Sequence, residues 1–248
     1  MQRELSSSQH PGFSSESLTL MESIKHAIQD SHDAIEKTTF AEGMMNATIT
    51  LESYTFYLRQ MLAIHEPLDH FLDLSTLRDW VPSTAKRSAA IRQDIALLNP
   101  LALNDVVLPA TREIVQDIQQ SYEANPLSLL GHFYILEGSR MGSRVIAKPL
   151  QSLLRIPSEA LHYHLDNFDK QPRVLREFRN RLNQEIDSPE QKAVIQSAAV
   201  TFMNQLLKLY GELPASEDST STGGLPVEMS SMGRCPFEHG TTTPSGNF

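Results

Sequence analysis

Apolar residues recur along this chain at three- and four-residue intervals, with no convincing strand-like alternation. Thr19 and Glu22 form a capping-box pair that opens a helix running to about Lys37. In it Ile24, Ile28 and Ile35, with Ser31 or His32, trace one stripe. Thr50 opens a second helix with Tyr54, Leu58, Met61, Ile64, Leu68 and Phe71 or Leu72 on one face. Pro67 has no amide hydrogen and is expected to bend that helix or open a local turn. The spacing predicts further helices over 83–98 and 104–123, the first stopped by Asn99-Pro100. Asn125-Pro126 supplies an N-cap with proline at the first helical position, opening a helix through Tyr134–Ile146. Helices near 157–165 and 171–186 precede a last one, begun by Ser188-Pro189 with Gln191 as a capping box and ended at Gly211. The pattern predicts an all-α fold: one helical bundle over 17–212. The Ser-, Thr-, Pro- and Gly-rich ends, 1–16 and 213–248, bury little and are expected to be disordered tails.

Three of the 11 glycines, Gly131, Gly138 and Gly142, fall in one predicted helix; the others lie in tails, loops or at helix ends, Gly43 among them. A glycine costs a helix interior roughly 1 kcal/mol relative to alanine, so the cluster asks for a reason. Gly138 and Gly142 share a face at i,i+4 spacing, where a backbone without Cβ atoms kinks and approaches a flat partner closely. Tight helix–helix packing through small residues is the other reading of the same pattern.

Composition narrows the field. A net charge of −9 argues against broad nucleic-acid affinity, which needs a basic face. No run approaches the roughly 20 apolar residues of a membrane span. The N-terminal stretch lacks the apolar core of a signal peptide. The one cysteine, Cys235, excludes an internal disulfide framework and suits a reducing compartment, so a cytoplasmic location is expected.

On the first helix His32 points along the core-facing side, and Glu36 follows one turn later within side-chain reach. A carboxylate holding the second ring nitrogen is a usual way to orient a metal-ligating histidine. A core-edge histidine beside a surface glutamate gives the same spacing. The longer stretch "IKHAIQDSHDAIE" (24–36) resembles the proximal-helix motif of the heme oxygenases. The similarity continues through Phe40, Ile49-Thr50, Tyr54, Ile64 and Leu68. "YILEGSRMGSRVI" (134–146) is similar to that family's glycine-rich distal helix, and "FRNRLN" (178–183) to its basic segment beside the heme propionates.

The resemblance implies that His32 is the proximal ligand of the heme iron, supported by Glu36, and that the helix through Gly138 and Gly142 crosses the opposite porphyrin face. It implies an enzyme that takes heme as cofactor and substrate and, with O2 and reducing equivalents, opens it to biliverdin, CO and Fe2+. An electron donor is implied too, ferredoxin-like or a flavin reductase; the acidic net charge suits a donor with a basic face. Lys25 and Arg179 fall where the family places cations for the propionates, with Arg176, Arg140 and Arg144 as weaker candidates. The chain also departs from the mammalian pattern. Ser139 stands where those enzymes carry an aspartate, Ser143 where they carry a further glycine, and His65 where they carry a distal tyrosine. Ser139 and His65 are hydrogen-bonding side chains able to organise water, but neither supplies a carboxylate.

In the tail, "GRCPFEHG" (233–240) resembles the Cys-Pro heme regulatory motif, with Cys235 as thiolate ligand and His239 nearby. The H-x-H at 162–164 points its two rings apart on a short helix. Two rival readings follow: a heme-binding sensor or carrier of the same fold without turnover, and a heme-free relative, thiaminase-like or di-iron. The di-iron version needs His65, His70, His132 and Glu137 to converge.

Overall fold

In the computed structural model the described residues are 18–98 and 106–215. Helix α1 (Leu20–Glu36) starts where the capping box places it. The Thr19 hydroxyl accepts the Glu22 N–H at 3.3 Å, and the Glu22 carboxylate accepts the Thr19 N–H at 2.8 Å. Ile24 and Ile28 are buried, Ile35 partly so, and His32 sits at the margin of this stripe. A short helix the periodicity does not show, α2 (Thr39–Met45), follows, capped by the Thr38 hydroxyl. Gly43 therefore lies in a helix rather than a loop. It is buried so closely that a Cβ there would stand 2.8 Å from Ile49 Cγ2.

Helix α3 (Leu51–Leu74) runs unbroken past Pro67, so no local turn opens there. Its predicted face, Tyr54, Leu58, Met61, Ile64, Leu68 and Leu72, is buried. The helix expected over 83–98 is divided. Ser83–Ala85 forms a 3₁₀ turn, and α4 (Ser88–Leu98) begins afresh. The buried Arg87 guanidinium takes the Thr84 and Ala85 carbonyls, while the Ser88 N–H goes to Asp69 Oδ2 at 3.1 Å. The ladder that a continuous helix needs is thereby consumed by side chains.

Helix α5 (Pro109–Ala124) starts later than the predicted Asn104, at a proline whose missing amide costs nothing in the first turn. Leu108 offers no side-chain cap; instead Gln60, buried on α3, accepts from the Leu108 N–H at 3.0 Å and the Thr111 hydroxyl at 2.8 Å. The glycine-bearing helix is two helices, α6 (Ser128–Ser139) and α7 (Ser143–Ser152), joined by a 3₁₀ turn at Arg140–Gly142. After a 3₁₀ turn at Ser158–Ala160 come α8 (His162–Leu165), α9 (Gln171–Glu185) and α10 (Pro189–Glu212). Ser188 caps α10 through the Gln191 N–H at 3.4 Å.

Helix α10 packs against α1, α5 and α6, and α3 against α4 and α5. Among the described residues there is no strand, and no helix is long and apolar enough to cross a membrane. The bundle is all-α, as expected. The N-terminal stretch 1–16 and most of the C-terminal one, with Cys235 and His239, lie outside the described residues.

Candidate functional site

Helix α1 and the kinked α6–α7 segment are tied together through shared neighbours rather than through extended packing on each other. Both lean on α2, α9 and α10. They are the two candidate walls, with His32 on the first and the glycine turn on the second.

On the first wall, His32 is 18% exposed, and its Nδ1 stands 3.8 Å from Glu36 Oε1 and from Asp33 Oδ1. These are ion-pair distances, longer than a hydrogen bond, so the carboxylates steer the ring electrostatically. His32, Asp33 and Glu36 are also the one grouping of metal-ligating side chains among the described residues. Lys25 is half-buried two helical turns earlier, on the same face as His32.

The second wall separates the glycines. A Cβ on Gly131 would come within 2.5 Å of the Ile195 carbonyl oxygen and 2.9 Å of the Ala199 nitrogen, so this glycine permits the close packing of α6 on α10. A Cβ on Gly142 would meet no atom within 4 Å. Helix packing therefore accounts for Gly131 but not for Gly142, which keeps open a space beside the backbone. Gly138 is buried one turn earlier. Ser139 is exposed, and its hydroxyl donates to the Leu136 carbonyl at 2.8 Å, so its one proton serves the helix backbone.

Arg179 reaches in from α9. Its Nη2 donates to the Tyr134 hydroxyl at 3.4 Å, and its guanidinium lies 5.6 Å from the centre of that ring. Its Nε is buried without a hydrogen-bond partner, an unusual state that an anionic group would satisfy. Arg140 Nε is also buried without a partner, but the rest of its guanidinium is already committed. It is 4% exposed, with Nη1 donating to both Glu137 oxygens at 3.0 and 3.1 Å and Nη2 to the Asp166 carbonyl at 2.8 Å. Arg176 is exposed, and Arg144 lies over the Phe168 ring at 4.3 Å.

Behind this wall runs a buried polar set that periodicity does not reveal. His65 is buried, with Nε2 3.4 Å from the Tyr163 hydroxyl. Burial, then the charges of Arg87 and Arg140, push its pKa down to about 3, so the ring is neutral. Tyr57 and Tyr210 continue the set, their hydroxyls 3.4 Å apart. Burial pushes Tyr163 and Tyr57 well above the usual phenol range, so these phenols keep their protons. Arg87, Tyr163 and Gln171 were not among the sequence-based candidates, and Glu137 entered only as a di-iron ligand. A charged pair such as Glu137 and Arg140 inside an otherwise apolar run was the signal available.

The di-iron set does not converge. His132 bonds Asp117 and the Ser128 carbonyl, Glu137 bonds Arg140, His70 is exposed, and His65 faces Tyr163. His162 and His164 do point apart: the first bonds Asp166, the second stacks on Tyr54. A shallow groove of about 580 Å³ between α3 and α5, lined by Ala63, Pro67, Arg112 and Val115, lies on other elements than His32 and Gly142.

Comparison with known proteins places this geometry. The Heme oxygenase family profile matches residues 18–207, and the chain belongs to that family. Heme oxygenase 1 of Rattus norvegicus is 22% identical over 218 residues, covering 84% of this chain and 75% of the rat protein. Heme oxygenase 1 of Gallus gallus is 23% identical over 80% of this chain and 71% of its own. Among solved structures, the heme oxygenase of Leptospira interrogans superposes with a TM-score of 0.72 at 18% identity, over 79% of this chain and all of that one. Heme oxygenase-1 of the cyanobacterium Synechocystis, solved in complex with heme, gives 0.71 at 14% identity, over 79% and 92%.

Proposed function

We propose that the chain binds heme between α1 and the α6–α7 turn, with His32 holding the iron, and opens it with O2 and reducing equivalents to biliverdin, CO and Fe2+. The observation that carries this reading is the pairing of His32 on one wall with the Cβ-free space at Gly142 on the other. Bound heme supplies the site of oxygen reduction and is itself the ring that is cut. The remaining work belongs to the chain.

Glu36 and Asp33 would orient the His32 ring. Lys25 and the unpartnered Nε of Arg179 would hold the heme propionates. Close approach of the backbone at Gly138 and Gly142 shields that face from bulk water. With no carboxylate at 139, protons are held instead at the Tyr163 hydroxyl and its partner His65, within the buried set next to Arg140. An electron donor, ferredoxin-like or a flavin reductase, completes the reaction.

Replacing His32 with alanine tests the ligand. The Soret band of the hemin complex should shift or broaden in this variant and return toward the wild-type spectrum on adding imidazole. An unchanged spectrum would show that His32 is not the ligand. The second reading, a sensor or carrier without turnover, draws on Ser139, whose hydroxyl proton is committed to Leu136. It requires a hemin complex that persists under reductant and O2.

A further inference from the structure

Asp94, buried on α4, accepts the N–H groups of His162 at 2.8 Å and Tyr163 at 2.7 Å and so fixes the start of α8. The chain leaves α8 at Asp166 and turns through Asn167, at φ 54, a left-handed conformation that asparagine tolerates. That turn aims the Asp166 carbonyl at two buried guanidinium groups, Arg140 Nη2 at 2.8 Å and Arg87 Nη1 at 3.2 Å. Two residues on, the Phe168 ring receives Arg144 of α7. Then Gln171, 1% exposed, donates its amide to the Glu137 carbonyl at 2.9 Å. Glu137 lies in the last turn of α6, where carbonyls lose their intrahelical partners. Three successive contacts from residues 166–171 thus grip both sides of the 3₁₀ turn between α6 and α7.

From this arrangement we infer that segment 166–171 is a brace, and that the Glu137–Arg140 pair is the positioning element through which it sets the kink at Gly142. Unsupported, a single 3₁₀ turn inside a helical run relaxes readily to the α-helical ladder. Such relaxation rotates α7 about its axis and moves the Cβ-free face of Gly142. The buried pair resists this because neither partner can leave without stranding the other's charge, and Arg87, held also by the Thr84 and Ala85 carbonyls, adds a second cation beside Glu137 and the Asp166 carbonyl. The role of the brace in the reaction rests on the heme reading above; its existence does not.

Hydrogen exchange of the full-length protein without heme tests it. In Glu137→Gln and Arg140→Gln, exchange at amides 140–143 should rise by about tenfold while amides in α5 and α10 keep their wild-type rates. In the double variant the increase should fall short of the product of the two single effects, because the pair is then removed together. Gln171→Ala, which strands no charge, should give a rise of about threefold confined to the same amides, and carries the test if a charge variant fails to fold. Unchanged exchange at 140–143, or a rise spread equally over α5 and α10, would overturn the brace. Hemin titration of the wild-type protein is run alongside: failure to bind would remove the heme reading and leave the exchange result to decide the brace alone.

Discussion

Gly131 and Gly142 sit on the same glycine-bearing segment and do opposite things: a Cβ on the first would collide with the Ile195 carbonyl at 2.5 Å, and a Cβ on the second meets nothing within 4 Å. One glycine brings two helices together; the other keeps a surface clear. Their substitutions should therefore part company.

Gly131→Ala forces α6 and α10 apart against backbone atoms that cannot rotate away. It should cost about 2 kcal/mol and lower Tm by roughly 5 °C in thermal unfolding of the heme-free protein. Gly142→Ala has ordinary backbone angles and free space, and should raise stability by about 0.5 kcal/mol. Gly142→Leu should leave the heme-free protein folded and weaken hemin binding by more than about tenfold, read by Soret titration. Equal hemin affinity in Gly142→Leu would show that the open space is not the heme site.

Arg179 should matter for affinity and orientation together. Arg179→Ala removes a buried Nε donor that has no hydrogen-bond partner and should weaken hemin binding by about tenfold or more. The mixture of biliverdin isomers should change as well, which chromatography of the products would show. Arg176→Ala, at an exposed position, serves as the control and should change neither.

Ser139→Ala removes a hydroxyl already bonded to the Leu136 carbonyl. Turnover should stay within about threefold of wild type, since only a backbone-directed bond of about 1 kcal/mol is lost. A collapse of turnover would return Ser139 to the centre of proton delivery. Tyr163→Phe, by contrast, should slow turnover and alter its pH profile.

Stability should fall as the solution is acidified, in part through two buried histidines. His65 and His164 are held down to about 3, chiefly by burial and then by the nearby arginines, whereas an unfolded histidine takes a proton near 6.5. The depressed folded values mean that their contribution is complete above about pH 6.5 and is lost progressively as pH falls toward 3. Glu137 and Asp94, raised by burial, act in the opposite sense, so the comparison must be with a variant. His164→Gln should flatten the dependence of urea-unfolding stability on pH between 6.5 and 4 by up to about 1.4 kcal/mol per unit.

The legible parts of this fold were those whose signals are local. Thr19 with Glu22, Thr50 and Ser188 announce α1, α3 and α10, and the stripes they open are long enough for a helical period to show. Helix α2 was hidden because seven residues span barely two turns. The break at Arg87 and the cap on α5 were hidden for another reason: Asp69 and Gln60, which satisfy those backbone groups, lie far away in sequence. Of the candidate site, His32 and the glycine turn could be proposed from spacing and family likeness. The distinct jobs of Gly131 and Gly142 could not, because they depend on what α10 places opposite each. That Glu137 and Arg140 pair with each other, and that Asp166 and Gln171 join them, stayed invisible because a buried charge network is defined by convergence rather than by period.

The most direct test of the central claim is a single-turnover spectrum of the purified protein with one equivalent of hemin, followed after adding reductant in the presence of O2 and catalase. The account predicts a sharp Soret band that decays as the broad red absorption of biliverdin grows, with CO released in step. A Soret band that persists under a reductant shown to reduce the bound iron would contradict it.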